Sequence, residues 1–273
     1  MTHFSTGPRR VYVMTSTLAP ALIIAAALTI ATALQAAPPD PPAASTYAPI
    51  ADLATQVDYY VGSLEKALDA SGDEYSEAKQ KTVRKQADTL AALSLVIGNH
   101  DQQHALKASA GELLAAAGRL AGAAGDQQAA LKELESVKQA AAGGEAAGGS
   151  GDSVSLQWRK VADMENLMKQ TQFLNSRLKR SVKGSKLKSQ ADKTTAYTAT
   201  LAAIAQATMA DTSDVENPAD LDKWYQFCAD MRDAAGAVNQ AIHQQNEVDV
   251  QAAMKKLKAS CDACHAVFEE DEL

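Results

Sequence analysis

The chain has no alternating apolar and polar strand pattern, and its runs of β-branched residues are short, which argues against a sheet-built fold. It lacks an excess of basic charge: 26 Lys and Arg against 33 Asp and Glu leave a formal charge of −7. That sign removes any electrostatic reason to bind nucleic acid or an anionic membrane surface. No grouping of general base and nucleophile announces an enzyme. Cysteine is scarce, with three residues in the chain. Two of them, Cys261 and Cys264, stand beside His265 in the stretch ASCDACHAVF (259–268), almost at the carboxyl end.

The amino end sets the compartment. Arg9 and Arg10 lie in an acid-free start, an apolar run extends from Leu18 to Ala33, and LQAAPPD closes it with small residues at Ala36 and Ala37. Basic start, apolar middle and small-residue end describe a secretory signal over residues 1–36, and hence a periplasmic or secreted protein. An uncleaved anchor is the competing reading, because Val11 to Ala37 is long enough to span a bilayer. Cleavage would remove two arginines and no acid, taking the formal charge from −7 to −9. After cleavage no stable membrane insertion is expected. The acids Glu269 to Glu272 read as a solvated tail. The final EDEL is a weak match to a retrieval signal.

The mature length suits two domains. AAAGGEAAGGSGDS (140–153) is rich in Gly, Ala and Ser and reads as a flexible linker, dividing the chain into 37–139 and 154–273. Ala, Leu, Lys, Gln and Glu dominate both sides, which favours helix. In the second half Leu221, Trp224, Cys228, Met231, Ala235, Val238 and Ile242 step by three and four, the buried stripe of an amphipathic helix. Turn signals near Ser71-Gly72, Gly98-Asn99 and 124–126 cut the first half into four segments. Those near Gly184, 211–218 and Asn246 do the same for the second. The expected fold class is therefore all-α: two tandem antiparallel four-helix bundles.

The halves read as distant copies. LLAAAGRL (113–120) lies over MRDAAGAV (231–238), and DQQAALKELESVKQA (126–140) lies ungapped over DVQAAMKKLKASCDA (249–263). In that register Lys138, Ala141 and Ala142 occupy the places of Cys261, Cys264 and His265. All the cysteines, both tryptophans and every methionine of the mature chain belong to the second half. The first half keeps the bundle without the chemistry. It is expected to fold with no cofactor, its bulk supplied by Leu53, Val57, Tyr60, Leu64 and Leu68, and to act as a docking or spacer module.

On a helix, positions i, i+3 and i+4 share one face, which puts Cys261, Cys264 and His265 together. C-x-x-C-H in an exported chain is the attachment motif of haem c: the thiols bond the vinyl groups and the histidine coordinates iron. A structural disulfide suits the same compartment. A thioredoxin-type site would need a strand–helix context that is absent, and a zinc site would need a fourth ligand at motif spacing.

These residues resemble the class II c-type cytochromes, to which cytochrome c prime belongs. The resemblance covers about residues 156–268 and rests on SCDACHAVF in the last segment and on Pro218 ahead of Trp224 and Phe227. NLMKQTQFLNSRLKRSVKG, closing on Gly184, adds to it. It implies a cytochrome c prime-like bundle carrying one covalent haem c, with His265 as axial ligand. In low-spin members a Met-Lys pair supplies the second axial ligand, and Met168-Lys169 matches it; Met164, one turn earlier, is the rival. The duplicated form with a haem-free partner bundle is similar to secreted cytochromes of planctomycete-type bacteria. The chain departs from the family in having Glu269 and Glu270 where a basic residue usually follows Phe268.

Other residues read as bland. Cys228 is a small core hydrophobe, Trp224 a bulky core residue and His243 a solvated imidazole near a helix end. His100 and His104, four apart, lack a third ligand. Two function classes remain. One is an electron carrier whose redox partner presents a basic face, with a homodimer as a further option. The other is a five-coordinate haem protein that takes a small gas such as nitric oxide.

Overall fold

The computed structural model describes residues 1, 3, 38–69, 75–143 and 155–268. The expected signal segment, the linker beyond Gly143 and the acidic tail lie outside the described residues. All regular structure among them is helical: α1 (Ile50–Leu68), α2 (Glu77–Gly98), α3 (Ala105–Ala123), α4 (Gln127–Ala141), α5 (Met164–Ser181), α6 (Ser185–Ser189), α7 (Ala191–Thr208), α8 (Leu221–His243) and α9 (Glu247–Phe268). The breaks near 98–99, 124–126, 184, 211–218 and 246 fall where the sequence puts them. The short α6 is an addition.

Side-chain caps set several starts. Ser76 accepts from Lys79 N, Asp126 from Gln128 N and Ala129 N, and Asp163 from Asn166 N, each satisfying an amide that the first turn leaves unpaired. Between α8 and α9 Gln245 takes a left-handed φ of 54°, and Asn246 N donates back to Ala241 O at 3.0 Å, a Schellman-type stop. Asn246 then caps α9 by accepting from Asp249 N.

α1 packs on α2 and α4, and α3 on α2 and α4; in the second half α8 packs on α7 and α9, and α5 on α7. The halves meet where α1 and α2 lie on α7 and α2 lies on α5. Every residue from Gln86 to Gly98 of α2 and from Thr194 to Thr208 of α7 is buried. A helix enclosed on all sides must satisfy its polar groups internally. Thr194, Thr198 and Thr200 do so by donating to carbonyls of the preceding turn, as do Thr89 and Ser94 in α2.

Ala36–Leu273 forms one compact unit, and a single hydrophobic cluster runs from Leu53 and Leu90 to Leu201 and Val238. The halves 37–139 and 154–273 are thus packed as one body, because α2 and α7 carry faces that neither half covers alone. Polar bonds cross the seam: Gln170 Nε2 donates to Tyr60 Oη at 2.7 Å, and Asn166 Nδ2 to Asp88 Oδ2 at 2.7 Å. The segments leading into each half also cross it. Ideal Cβ atoms at Gly236 and Gly98 would fall 2.8 Å from Tyr47 Cα and 2.5 Å from a Leu156 methyl. The first clash is with backbone, so only glycine permits that approach, while at Gly98 the Leu156 side chain would have to turn aside.

Candidate functional site

Four helix ends converge in the second half: the starts of α5 and α8 and the finishes of α7 and α9. A cavity of about 380 Å³ opens among them, lined by Met164, Met168, Trp224, Cys228, Met231 and Phe268 as well as by Cys261, Cys264 and His265. That volume lies in the usual range of cofactor and small-molecule sites, about 300–1,000 Å³. The thiols of Cys261 and Cys264 are half-buried, and His265 is exposed one residue further along the same helix.

The cavity exists because α9 stands off from α5. In the first half α4 packs along α1; in the second the backbones of α5 and α9 scarcely approach. They are tied at the far end, where Gln251 Nε2 donates to Val182 O at 3.0 Å and Gly184 N to Glu247 Oε1 at 3.2 Å. Beyond that tie α9 leans on α8. Of its 22 residues only Val250, Ala253, Leu257 and Ser260 are buried, so the motif-bearing end has one side free to face a ligand.

Both methionines of α5, Met164 and Met168, line the cavity. Spaced by four, they lie one turn apart on one face. Trp224 and Phe268 pack edge to face at 5.2 Å and form an aromatic wall beside Cys264.

Three polar atoms of cavity-lining side chains are buried with no hydrogen-bond partner among the described residues: Thr171 Oγ1, Thr208 Oγ1 and Trp224 Nε1. Their residues are 6%, 5% and 4% exposed. An unmet buried donor or acceptor costs about 1–3 kcal/mol, a cost the fold bears at these three atoms and also at Gln56 Nε2 and Gln86 Oε1 in the first half. An imidazole and two thioethers supply nitrogen and soft sulfur donors that suit haem iron, and the two thiols supply the groups that bond its vinyls. On these grounds the residues fit haem c.

The cysteines are free. Burial pushes the Cys264 thiol up to about 11, with the neighbouring Cys261 adding to the shift. Burial raises Cys261 as well, against a hydrogen bond with Asn175. Cys228 is buried and strongly raised by desolvation, consistent with a core role.

The remaining histidines are engaged. His100 Nδ1 accepts from Gln102 N at 3.0 Å, which leaves Nε2 to donate to Ala48 O at 3.1 Å; His104 caps α3 by accepting from Leu106 N. Among the described residues no three His, Cys, Asp or Glu side chains group as a metal site. His243 is exposed at the end of α8, as expected of a solvated imidazole, but it is also paired. Its Nε2 lies 2.9 Å from Asp52 Oδ2, and the same carboxylate accepts from Asn239 and Thr195. Sequence alone gave no signal for it, since Asp52 is 191 positions away. The unpaired Trp224 nitrogen was equally hidden.

No protein-family model, curated protein or solved structure matches the chain.

Proposed function

We propose that the chain is an exported c-type cytochrome that carries electrons. Cys261 and Cys264 would hold one haem c through thioethers, and His265 and Met168 would supply its iron ligands. The observation that carries this reading is the cavity itself: C-x-x-C-H on α9 faces the Met164 and Met168 face of α5 across a gap that neither helix closes. α1–α4 and α5, α7, α8 and α9 are read as tandem antiparallel four-helix bundles, the second cytochrome c prime-like. The apolar start of the chain and its haem motif together support a periplasmic or secreted location. Among the described residues no helix is long and apolar enough to cross a membrane.

When bound, the haem supplies a one-electron couple at iron. The chain's residues set its terms. Cys261 and Cys264 anchor one edge, so the group cannot dissociate with either oxidation state. Trp224, Phe268 and the methionines would line the apolar side of the group, and a thioether ligand at Met168 would raise the potential by favouring the reduced ion. The acidic chain fits a partner with a basic face, which would speed encounter at low salt.

The test is full-length protein made with a haem-attachment system and run on a denaturing gel. Haem stain should remain on the chain, resist acid-acetone and vanish in Cys261→Ser/Cys264→Ser. Loss of colour on extraction would refute covalent attachment. Met168→Ala should convert a low-spin spectrum to high-spin and open the iron to carbon monoxide. If Met164→Ala does so instead, the ligand lies one turn earlier; a high-spin wild type would favour the gas-binding function.

A further inference from the structure

Seven of the 17 residues from Arg177 to Lys193 are Lys or Arg, and one, Asp192, is an acid, in a chain of charge −7. None of the seven forms an ion pair among the described residues, whereas Lys81, Arg119, Lys138, Lys160, Lys169, Lys223, Arg232 and Lys258 all do. Cations in the last turn of α5 complement its dipole, which accounts for Lys179 and Arg180. It does not account for Lys186 and Lys193, which come from α6 and α7 to the same place.

There Arg177, Arg180, Lys186 and Lys193 line a concavity of about 150 Å³ together with Ser181, Gln190 and the ring of Tyr197. Two of the cations are braced by aromatic rings. Arg177 lies over Phe173 at 4.8 Å and Lys193 over Tyr197 at 5.8 Å, which reduces the ordering cost of binding. Ser181 Oγ donates to Gln190 Oε1 at 2.9 Å, so the amide end left to bind is its NH₂ donor. Like charges drawn together without counter-charges repel one another. Four cations and no acid line the hollow, and its size suits a small ion.

We propose that this corner of α5, α6 and α7 is a binding site for a small polyvalent oxyanion of the phosphate class. The proposal is independent of the haem reading. Two guanidinium forks match tetrahedral oxyanion geometry, and the ammonium groups and Gln190 complete the donor set.

Isothermal titration of the full-length protein with inorganic phosphate, at ionic strength held constant with chloride, tests it. Saturable 1:1 binding is expected. Arg180→Gln and Lys186→Gln should each weaken it about tenfold, the loss of one charge-assisted hydrogen bond. Lys132→Gln, an exposed cation on α4, should leave it unchanged. The site is refuted if heat tracks ionic strength alone, or if Lys132→Gln weakens binding equally. It is also refuted if polyglutamate binds while phosphate does not, since the corner is then a broad docking face.

Discussion

Gly118 and Gly236 hold corresponding places in LLAAAGRL and MRDAAGAV, yet alanine should act on them in opposite directions. Each lies inside a helix, where Gly→Ala gains about 0.5–1 kcal/mol from backbone entropy and propensity. A Cβ at Gly118 meets nothing within 4 Å, so Gly118→Ala should show that gain in full. At Gly236 the Cβ would stand 2.8 Å from Tyr47 Cα and 2.9 Å from Tyr47 Cβ, well inside the ~3.5–4.0 Å of comfortable carbon contact. The clash is with backbone, so the segment at 44–47 must shift, and the Arg232 guanidinium over the Tyr47 ring at 5.4 Å shifts with it. Overpacking of this kind costs about 1–3 kcal/mol. The propensity gain is common to both variants, so the difference between them isolates the clash. Urea unfolding followed by helical circular dichroism reads it directly. Starting the chain at Pro49 should erase the difference. If both alanines stabilise equally in the full chain, the 44–47 segment does not rest on α8 and the interleaving of the halves is wrong.

Burial pushes the Asp88 carboxyl up to about 6, only partly opposed by the bond from Asn166. The folded state therefore holds a proton that the unfolded chain releases near 4. The contribution of Asp88 to stability is highest below about pH 4, falls as pH rises to about 6 and stays low above that. Asp88→Asn should flatten this slope and stabilise the protein at pH 7 by about 2 kcal/mol; an unchanged wild-type-minus-variant difference from pH 4 to 7 would refute it. Thr171→Val removes one of the unpaired cavity hydroxyls while keeping its shape. In haem-free protein it should raise stability by about 1 kcal/mol, and in the loaded protein it should not. Equal shifts in both forms, measured by thermal melting, would mean the hydroxyl never meets the cofactor.

Helix existence was legible because punctuation and stripe agreed. Asp126, Gly184 and Asn246 mark real ends, and Leu53, Val57, Tyr60, Leu64 and Leu68 are all fully buried. Periodicity names the buried face of a helix but not the neighbour that covers it. Nothing in the sequence of α7, with its threonines at 194, 195, 198 and 200, announces a helix enclosed on all sides. Their hydroxyls bond to their own backbone and so cost little when buried. The seam between the halves was unreadable for the same reason. On α9 the spacing of Cys261, Cys264 and His265 sufficed to put them on one face. The choice between Met164 and Met168 was not resolved by spacing, and both line the cavity. The basic run near Arg180 is plain in the sequence, while its convergence with Lys186 and Lys193 depends on the turn through α6.

Comparison of α4 with α9 shows what it takes to close the space that α9 leaves. Lys138, in the place of Cys261, reaches across to Glu65 on α1 at 2.9 Å, tying the fourth helix to the first where the second half keeps them apart. An exposed pair of this kind is worth at most about 1 kcal/mol, so it does not close the bundle by itself. Burial does: Leu64 and Leu68 from α1 and Leu134, Val137 and Ala140 from α4 are all enclosed. Ala141 and Ala142, in place of Cys264 and His265, add no bulk or polar group at the helix end. The second half has the reverse set: a thiol in place of the cation and methionines on the facing helix. On the proposed reading, the first half shuts the corresponding space with small and apolar side chains, while the second leaves it open beside Cys261, Cys264 and His265.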